Sequence, residues 1–173
     1  MFHSREEGDG QRTADQKLLV PVILYDAQFV DQAENTEIKP AVLQLETHVF
    51  SLQARMRKLI KDYGTHLMAW GPLAQGTDRI FTNETLKNIG AKYGKTSAQV
   101  VLNFLTGEGI VAIPKSVHTL RMTENLDIES FELTETDWKM IRKLDTGLLK
   151  VDFNDPAMVK YLLEYNKNFN PGN

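Results

Sequence analysis

The stretch IVAIPKSVHTLRMTEN, residues 110–125, carries the pattern that decides how this chain folds. It opens with a short apolar run of the kind found in buried strands. The run ends in a turn that presents Lys115 and Ser116, and a short helix then begins with Arg121 within reach. Two cations, a hydroxyl and the backbone N–H groups of a helix start suit a phosphate group. The spacing alone leaves open that Lys115 and Arg121 are ordinary solvated surface charges.

Strand-like and helix-like segments alternate outward from this stretch. Short apolar runs predict strands at residues 18–25, 41–46, 66–70 and 110–114. Alternation of strands with helices is typical of βα units in a parallel sheet. Four such units are about half of a (β/α)8 barrel, and 173 residues are fewer than the roughly 250 that a whole barrel needs. The sequence therefore predicts the α/β class and a partial, truncated TIM (β/α)8 barrel of about four βα units.

The helices are marked by their ends as well as by their apolar spacing. Thr96 and Thr134 each stand three residues before a Gln or an Asp, which is the capping-box pattern that opens a helix. Two periodic apolar segments end at Gly64 and Gly94, which supply C-terminal stops. The pattern weakens after residue 147, where one short helix is expected near residues 158–165.

Composition is that of an ordinary globular protein, with 42% hydrophobic and 25% charged residues. The net charge of −3 gives no electrostatic reason to expect nucleic acid or a membrane surface as a partner. The longest apolar run is too short to span a bilayer. The absence of cysteine excludes disulfides, thiolate metal sites and cysteine nucleophiles, and no metal site is predicted.

The N-terminal segment, residues 1–17, is polar and lacks the apolar core of a secretory signal. Such a segment buries too little apolar surface to offset the entropy of ordering. We therefore predict a disordered tail at residues 1–17, a folded domain at residues 18–173 and a cytoplasmic location.

The stretch 113–125 resembles the C-terminal signature of the aldo-keto reductase family. The resemblance implies that a Lys-Ser pair and an Arg five positions on grip the 2′-phosphate of NADP, and that a Glu-Asn pair contacts the adenine. The cofactor-binding residues that it implies here are Lys115, Ser116, Val117, Arg121, Glu124 and Asn125.

Two further blocks, KPAVLQLETHVF (39–50) and LMAWGPLAQG (67–76), are similar to the same family. The resemblance implies that Gln44 binds the nicotinamide carboxamide and that Trp70, where a Tyr is usual, stacks on the nicotinamide ring. The loop that would wrap the pyrophosphate consists of Gly71, Pro72, Leu73, Ala74 and Gln75. The similarity covers residues 39 to about 165. It implies an NADP-dependent oxidoreductase that reduces a small carbonyl substrate by hydride transfer.

The catalytic residues of the family are the main departure. Hydride transfer there uses a Tyr proton donor tuned by a Lys–Asp pair, with a His that orients the carbonyl. In the family these residues lie on the first half of the barrel, and no equivalent stretch is found here, so no catalytic residue is predicted. The tyrosines and histidines considered as substitutes, and interpreted as structural, are Tyr63, Tyr93, His48, His66 and His118.

The nicotinamide end departs from the family as well. A Ser-Asn pair that holds the nicotinamide amide in the family corresponds here to Ile23 and Leu24, and the Asn that usually precedes the Gln is Leu43. Three interpretations follow. The chain is a reductase, with the missing half on another chain; a catalytically inactive nucleotide-binding pseudoenzyme; or a truncated gene product. A half-barrel also leaves open edges at residues 18–25 and 110–114, which predicts self-association.

Overall fold

The fold is built on a four-stranded parallel sheet. The structure is a computed structural model that describes residues 21–22, 26–76, 78–147, 149–151, 155–158, 160–161 and 164. The strands are β1 (Pro21–Val22), β2 (Val42–Glu46), β3 (His66–Trp70) and β4 (Val111–Ala112). Their order is β1-β2-β3-β4, and each neighbouring pair is parallel. This is the α/β architecture of a partial (β/α)8 barrel, as predicted.

Within the described part of residues 26–142, seven α-helices connect and cover the strands, together with a short 3-10 helix at Ala74–Gly76. The α-helices are α1 (Asp26–Asn35), α2 (Ala54–Lys61), α3 (Asp78–Thr82), α4 (Glu84–Tyr93), α5 (Ser97–Gly107), α6 (Thr119–Leu126) and α7 (Glu135–Arg142). Residues 156–158, 160–161 and 164 are also helical, where the sequence predicts a short helix near residues 158–165. Both predicted capping boxes are present, at Thr96 before α5 and at Thr134 before α7. Gly94 ends α4 in the left-handed conformation, with φ of 64°. These local signals were sufficient because they depend only on neighbouring residues.

Several elements differ from the prediction. Helix α1 was not predicted, because few of its residues are apolar; of these, Phe29 and Ala33 are buried, one turn apart. Helix α3 has only five residues, which is too short to show a period. Strand β4 is shorter than the predicted 110–114. Residues 1–17 and most of 18–25 lie outside the described residues, so the predicted tail and domain boundary stay predictions.

The two faces of the sheet have different surroundings. Side chains alternate along a strand, so the buried Leu43, Leu45, Leu67 and Ala69 point toward the helices, where they join the main core. The opposite, inner face carries Gln44, Glu46, Met68 and Trp70, which the register places side by side. Val111 pairs with Met68 and so lies on the inner face, where it is 44% exposed. The inner face is therefore partly open to solvent.

A buried carboxylate, Asp137, joins α4 to α7. It accepts hydrogen bonds from Lys92 Nζ at 2.5 Å and from Tyr93 Oη at 2.6 Å. The hydroxyl and backbone N–H of Thr134 donate to the same carboxylate at 2.6 and 3.2 Å. Burial by itself would raise the pKa of Asp137, but the hydrogen bonds from Lys92, Thr134 and Tyr93 outweigh it and hold the pKa well below its ordinary value.

No helix of the described residues is long and apolar enough to cross a membrane. The predicted cytoplasmic location stays a prediction.

We expect Asp137→Asn to lower the free energy of unfolding by about 2–4 kcal/mol at pH 7, because it leaves buried donors without their charged acceptor. The folded-state pKa lies below the unfolded-state value of about 3.9, so the carboxylate stabilises the fold above that pH and less as the pH falls through it. The difference between the two proteins should narrow by about 1 kcal/mol between pH 6 and pH 3. Urea unfolding measures both quantities.

Glu135→Gln is the matched control, because Glu135 lies exposed on the same helix. Its effect should stay within about 0.5 kcal/mol. If Asp137→Asn lowers the free energy of unfolding by the same amount at pH 6 and at pH 3, the role of the charged carboxylate is contradicted.

Candidate functional site

A pocket of about 790 Å³ lies where β3 and β4 end. The loop after β3, residues 71–76, forms one wall, and the turn after β4 together with α6 forms the other. Parallel pairing of β3 with β4 places these connections at the same edge of the sheet. The predicted cofactor-binding residues that line this pocket are Gly71, Pro72, Leu73, Gln75, Lys115, Ser116, Arg121, Glu124 and Asn125.

The cationic wall of the pocket carries Lys115 and Arg121. Both side chains are exposed, and neither forms an ion pair within the part of the chain that the structure describes. Ser116 shapes the turn between them, since its hydroxyl accepts a hydrogen bond from the His118 N–H at 3.1 Å. Two uncompensated cations beside a cavity attract an anionic group and do not need to break an internal ion pair to bind it.

The facing loop has an unusual backbone. Gly71 and Gly76 adopt positive φ, as glycine readily does. Ala74 and Gln75 also do so, with φ of 49° and 54°, although a side chain makes this conformation costly. Hydrogen bonds from Ala74 N–H to the Gly71 carbonyl and from Gly76 N–H to the Leu73 carbonyl hold the turn. Strained backbone of this kind is concentrated at functional sites, which supports a binding role for the loop.

The structure does not bring every predicted residue into this pocket. Gln44 and Trp70 are half-buried on the inner face of the sheet. Ala74 turns away and lines a smaller cavity, and Val117 is exposed without lining the pocket. The cationic and loop residues thus form one site, while the predicted nicotinamide contacts lie outside its lining.

Other lining residues were not predicted as cofactor contacts. They are Gly76, Phe81, Thr96, Ala98, Ile113 and Pro114. Phe81 lies on α3, which is too short to have a sequence signal. Thr96 was recognised only as a helix cap, and nothing in the local sequence shows that the start of α5 faces the pocket.

A buried acid, Glu46, anchors the segment that follows α7. Glu46 is 3% exposed at the end of β2, and its carboxylate accepts the backbone N–H groups of Lys150 and Val151 at 3.0 and 2.9 Å. His48 Nδ1 accepts the Phe50 N–H at 3.2 Å, which assigns the ring proton to Nε2, 3.3 Å from Glu46. Burial alone would raise the pKa of Glu46, but the hydrogen bonds from His48, Val151 and Lys150 outweigh it and lower the pKa.

The anchored segment also contacts the loop after β2. Thr146 N–H donates to the Phe50 carbonyl at 3.0 Å, and Leu52 N–H donates to Asp145 at 3.3 Å. Leu149 and Glu46 line a cavity of about 210 Å³ whose wall includes Ala74. The anchor therefore places this segment next to the loop that lines the main pocket.

The tyrosines and histidines interpreted as structural have varied surroundings. Tyr93 donates to Asp137, Tyr63 packs edge-on against Phe29, and His48 belongs to the Glu46 anchor. His66 and His118 are exposed. Over the described residues there is no group of three metal-ligating side chains.

The chain consists of parallel βα units, and its cation-lined pocket lies beyond the carboxyl ends of the strands. This arrangement is typical of (β/α)8-barrel proteins that bind anionic ligands at that end of the barrel. The chain belongs to the aldo/keto reductase family, whose profile matches residues 22–146. The match begins at residue 22 and not at 39, so the family relationship extends further upstream than predicted.

Similar proteins include enzymes and solved structures of this family. Aldose reductase B of Dictyostelium discoideum is 40% identical over 120 residues, which cover 69% of this chain and 39% of that protein. The NAD(P)H-dependent D-xylose reductase of Scheffersomyces stipitis is 41% identical over 142 residues, 75% of this chain and 44% of that protein.

Among solved structures, MGS-M4, an aldo-keto reductase from a Medee basin deep-sea metagenome, superposes with a TM-score of 0.73 at 32% identity over 76% of this chain and 49% of its own. A mutant of Gox0644 crystallised with NADPH gives 0.71 at 30% identity, over 76% of this chain and 48% of its own. The chain thus spans less than half the length of each of these relatives.

We expect Glu46→Gln to speed amide hydrogen exchange at Lys150 or Val151 by about 10- to 150-fold, because a charge-assisted hydrogen bond contributes about 1.5–3 kcal/mol. Exchange followed by NMR measures it residue by residue. The exposed Glu37→Gln is the control and should leave both rates unchanged. Unchanged protection in Glu46→Gln would show that other contacts hold the segment.

Proposed function

We propose that this chain holds the NADP(H)-binding part of an aldo-keto reductase barrel, and that the protein acts as an NADP-dependent carbonyl-reducing oxidoreductase. The observation that carries the proposal is that Lys115 and Arg121, on the wall of the 790 Å³ pocket, form no ion pair with any other described residue. The NADPH complex of the similar Gox0644 mutant and the NAD(P)H-dependent relatives support it.

The residues of the pocket fit an adenosine 2′-phosphate. Arg121 offers a planar fork of donors and Lys115 a compact charge, and together they would neutralise a dianion. Glu124 and Asn125 of α6 line the same pocket and would contact the adenine. The strained loop at residues 71–75 would follow the pyrophosphate, with Gln44 and Trp70 toward the nicotinamide. NADPH, when bound, supplies the hydride; these residues bind and orient it.

We propose further that the polypeptide of residues 1–173, by itself, does not turn over. The equivalents of the Tyr, Lys, Asp and His that the family uses are not identified in it. At the nicotinamide end, Leu43 is fully buried in the helix-facing core and offers no polar group. This favours the second candidate function, a nucleotide-binding protein without catalysis. The first candidate function, a reductase, then requires that another chain supply the catalytic Tyr, Lys, Asp and His.

We also propose that the chain self-associates through open sheet edges. Strands β1 and β4 are at the two ends of the described sheet, and each pairs with one neighbour only. An unpaired edge presents a row of free backbone donors and acceptors, which another strand satisfies.

We expect the wild-type chain to bind NADPH more tightly than NADH, and Arg121→Ala to weaken NADPH binding about 10- to 150-fold, the loss of one charge-assisted contact. NADH affinity should change little, because NADH lacks the 2′-phosphate. Titration calorimetry measures all four affinities. The control Arg55→Ala removes an exposed Arg from α2 and should leave both affinities unchanged. Equal wild-type affinities for NADPH and NADH would refute the phosphate site.

We expect no NADPH consumption above buffer when the purified chain is mixed with a panel of aldehydes. General acid help contributes about 10²–10⁴ in rate, and placement of hydride against carbonyl contributes more, so loss of both removes detectable turnover. A full-length family reductase in the same assay is the positive control. Turnover that Trp70→Ala abolishes would contradict this expectation and would require a proton donor within these residues. Tyr25, the candidate that the sequence offers, lies outside the described residues.

A further inference from the structure

Exposed apolar side chains are concentrated in one part of the molecule. Within the described residues, the exposed large hydrophobic residues of β4 and the segment after it are Val111, Ile113, Val117, Leu120, Met122 and Leu126, from 44% to 83% exposed. Helix α6 buries none of its residues. Met122 and Leu126 are one turn apart and share a face, which we call the α6 apolar face. Exposed apolar side chains grouped in this way are typical of an interaction site.

This apolar surface adjoins the open edge of β4. Val111 lies on the inner face of the sheet, and Ile113, just beyond the end of β4, lines the pocket. β4 pairs with β3 on one side, and its other side pairs with no described strand. An unpaired strand edge, an uncovered inner face and an uncovered helix therefore occur together.

We propose that a second copy of this chain covers this surface, with β4 of each copy pairing in parallel with β1 of the other to close an eight-stranded barrel. The inference deepens the proposed self-association and rests on it. The free strand edges at the two ends of the sheet favour a second copy of this chain as the partner. All four strands run in the same direction, so the free side of β1 extends the sheet next to β4 without a change of direction.

Two-fold symmetry then closes the assembly. Each copy offers one β4 edge and one β1 edge, and both contacts are the same, so two copies satisfy all four edges. Eight strands also give a barrel whose interior side chains just fill it. Closure would bury Val111 in the barrel interior and bring the α6 apolar face against the neighbouring copy. The segment anchored at Glu46 meets the inner face at the carboxyl end of β2, which is an internal strand, so it does not occupy the free edge of β1 or of β4.

Cysteine cross-linking tests the pairing, because the chain has no cysteine of its own. Pro21 pairs with Val42, two residues before Gln44, so position 21 belongs to the same inner face as Val111. Pro21→Cys protein mixed with Val111→Cys protein should give a disulfide-linked dimer on mild oxidation. Pro21→Cys paired with Ile113→Cys tests the register shifted by two residues. Within one copy β2 and β3 separate the two positions by about 14 Å, so a disulfide there joins different copies.

The number of chains in the disulfide-linked species tests whether the barrel is closed. A double variant carrying both cysteines should stop at a dimer of twice the 19.7 kDa chain mass. A ladder of larger species would mean open-ended pairing, and efficient linking of Val111→Cys protein to itself would mean antiparallel β4–β4 pairing. Either result overturns the closed barrel and leaves self-association intact.

Sedimentation velocity at low micromolar concentration, without nucleotide, tests the surface itself. The wild type should sediment as a dimer, and Leu126→Glu should weaken dimerisation at least about tenfold, because it places a charge on the contact. Ile38→Glu is the matched control, since Ile38 is 56% exposed before β2 and should leave the dimer unchanged. A wild-type monomer overturns both this inference and self-association. Because no nucleotide is present, failure of NADPH binding would not alter these outcomes.

Discussion

The parallel pairing of β3 with β4 is the constraint on which the rest of the site depends. Met68 pairs with Val111 and Ala69 with Ala112. This register brings the chain out of both strands at the same edge of the sheet, so the loop at residues 71–76 faces Lys115 and Arg121. The two walls of the pocket are about forty residues apart in sequence, and α4 and α5 supply the long crossover that a parallel pair requires. Without this pairing, the cations would be ordinary surface charges.

Two buried carboxylates support the elements around this pair. Asp137 ties α7 to α4, and Glu46 ties the segment after α7 to the end of β2. In each case several hydrogen bonds to the charged form outweigh the cost of burial, which is why the pKa of each is lowered. These contacts are directional, and they fix where α7 and its following segment lie in a way that apolar packing alone would not.

The molecule is asymmetric in how well its faces are covered. The helix-facing side of the sheet is fully packed, with Leu43, Leu45 and Ala69 in the core. The inner face and α6 are not, although α6 carries Arg121, Glu124 and Asn125 of the pocket. The helix that carries the proposed nucleotide contacts is therefore also the one with the fewest packing contacts to the core. Covering it would restrict its motion and lower the entropic cost of binding a nucleotide.

The sequence by itself determined the parallel α/β class, the capping boxes at Thr96 and Thr134, the glycine stop at Gly94 and the cationic turn at Lys115 and Ser116. Each of these depends on residues within a few positions of one another. The sequence did not indicate α1, which has few apolar residues, or α3, which is too short to show a period. Nor did it indicate that Phe81 and Thr96 line the pocket, or that Glu46 binds Lys150 and Val151. Only the tertiary structure decided these contacts, because they join segments whose separation is set by sheet register and helix packing, and local sequence carries no record of which distant backbone a side chain will meet.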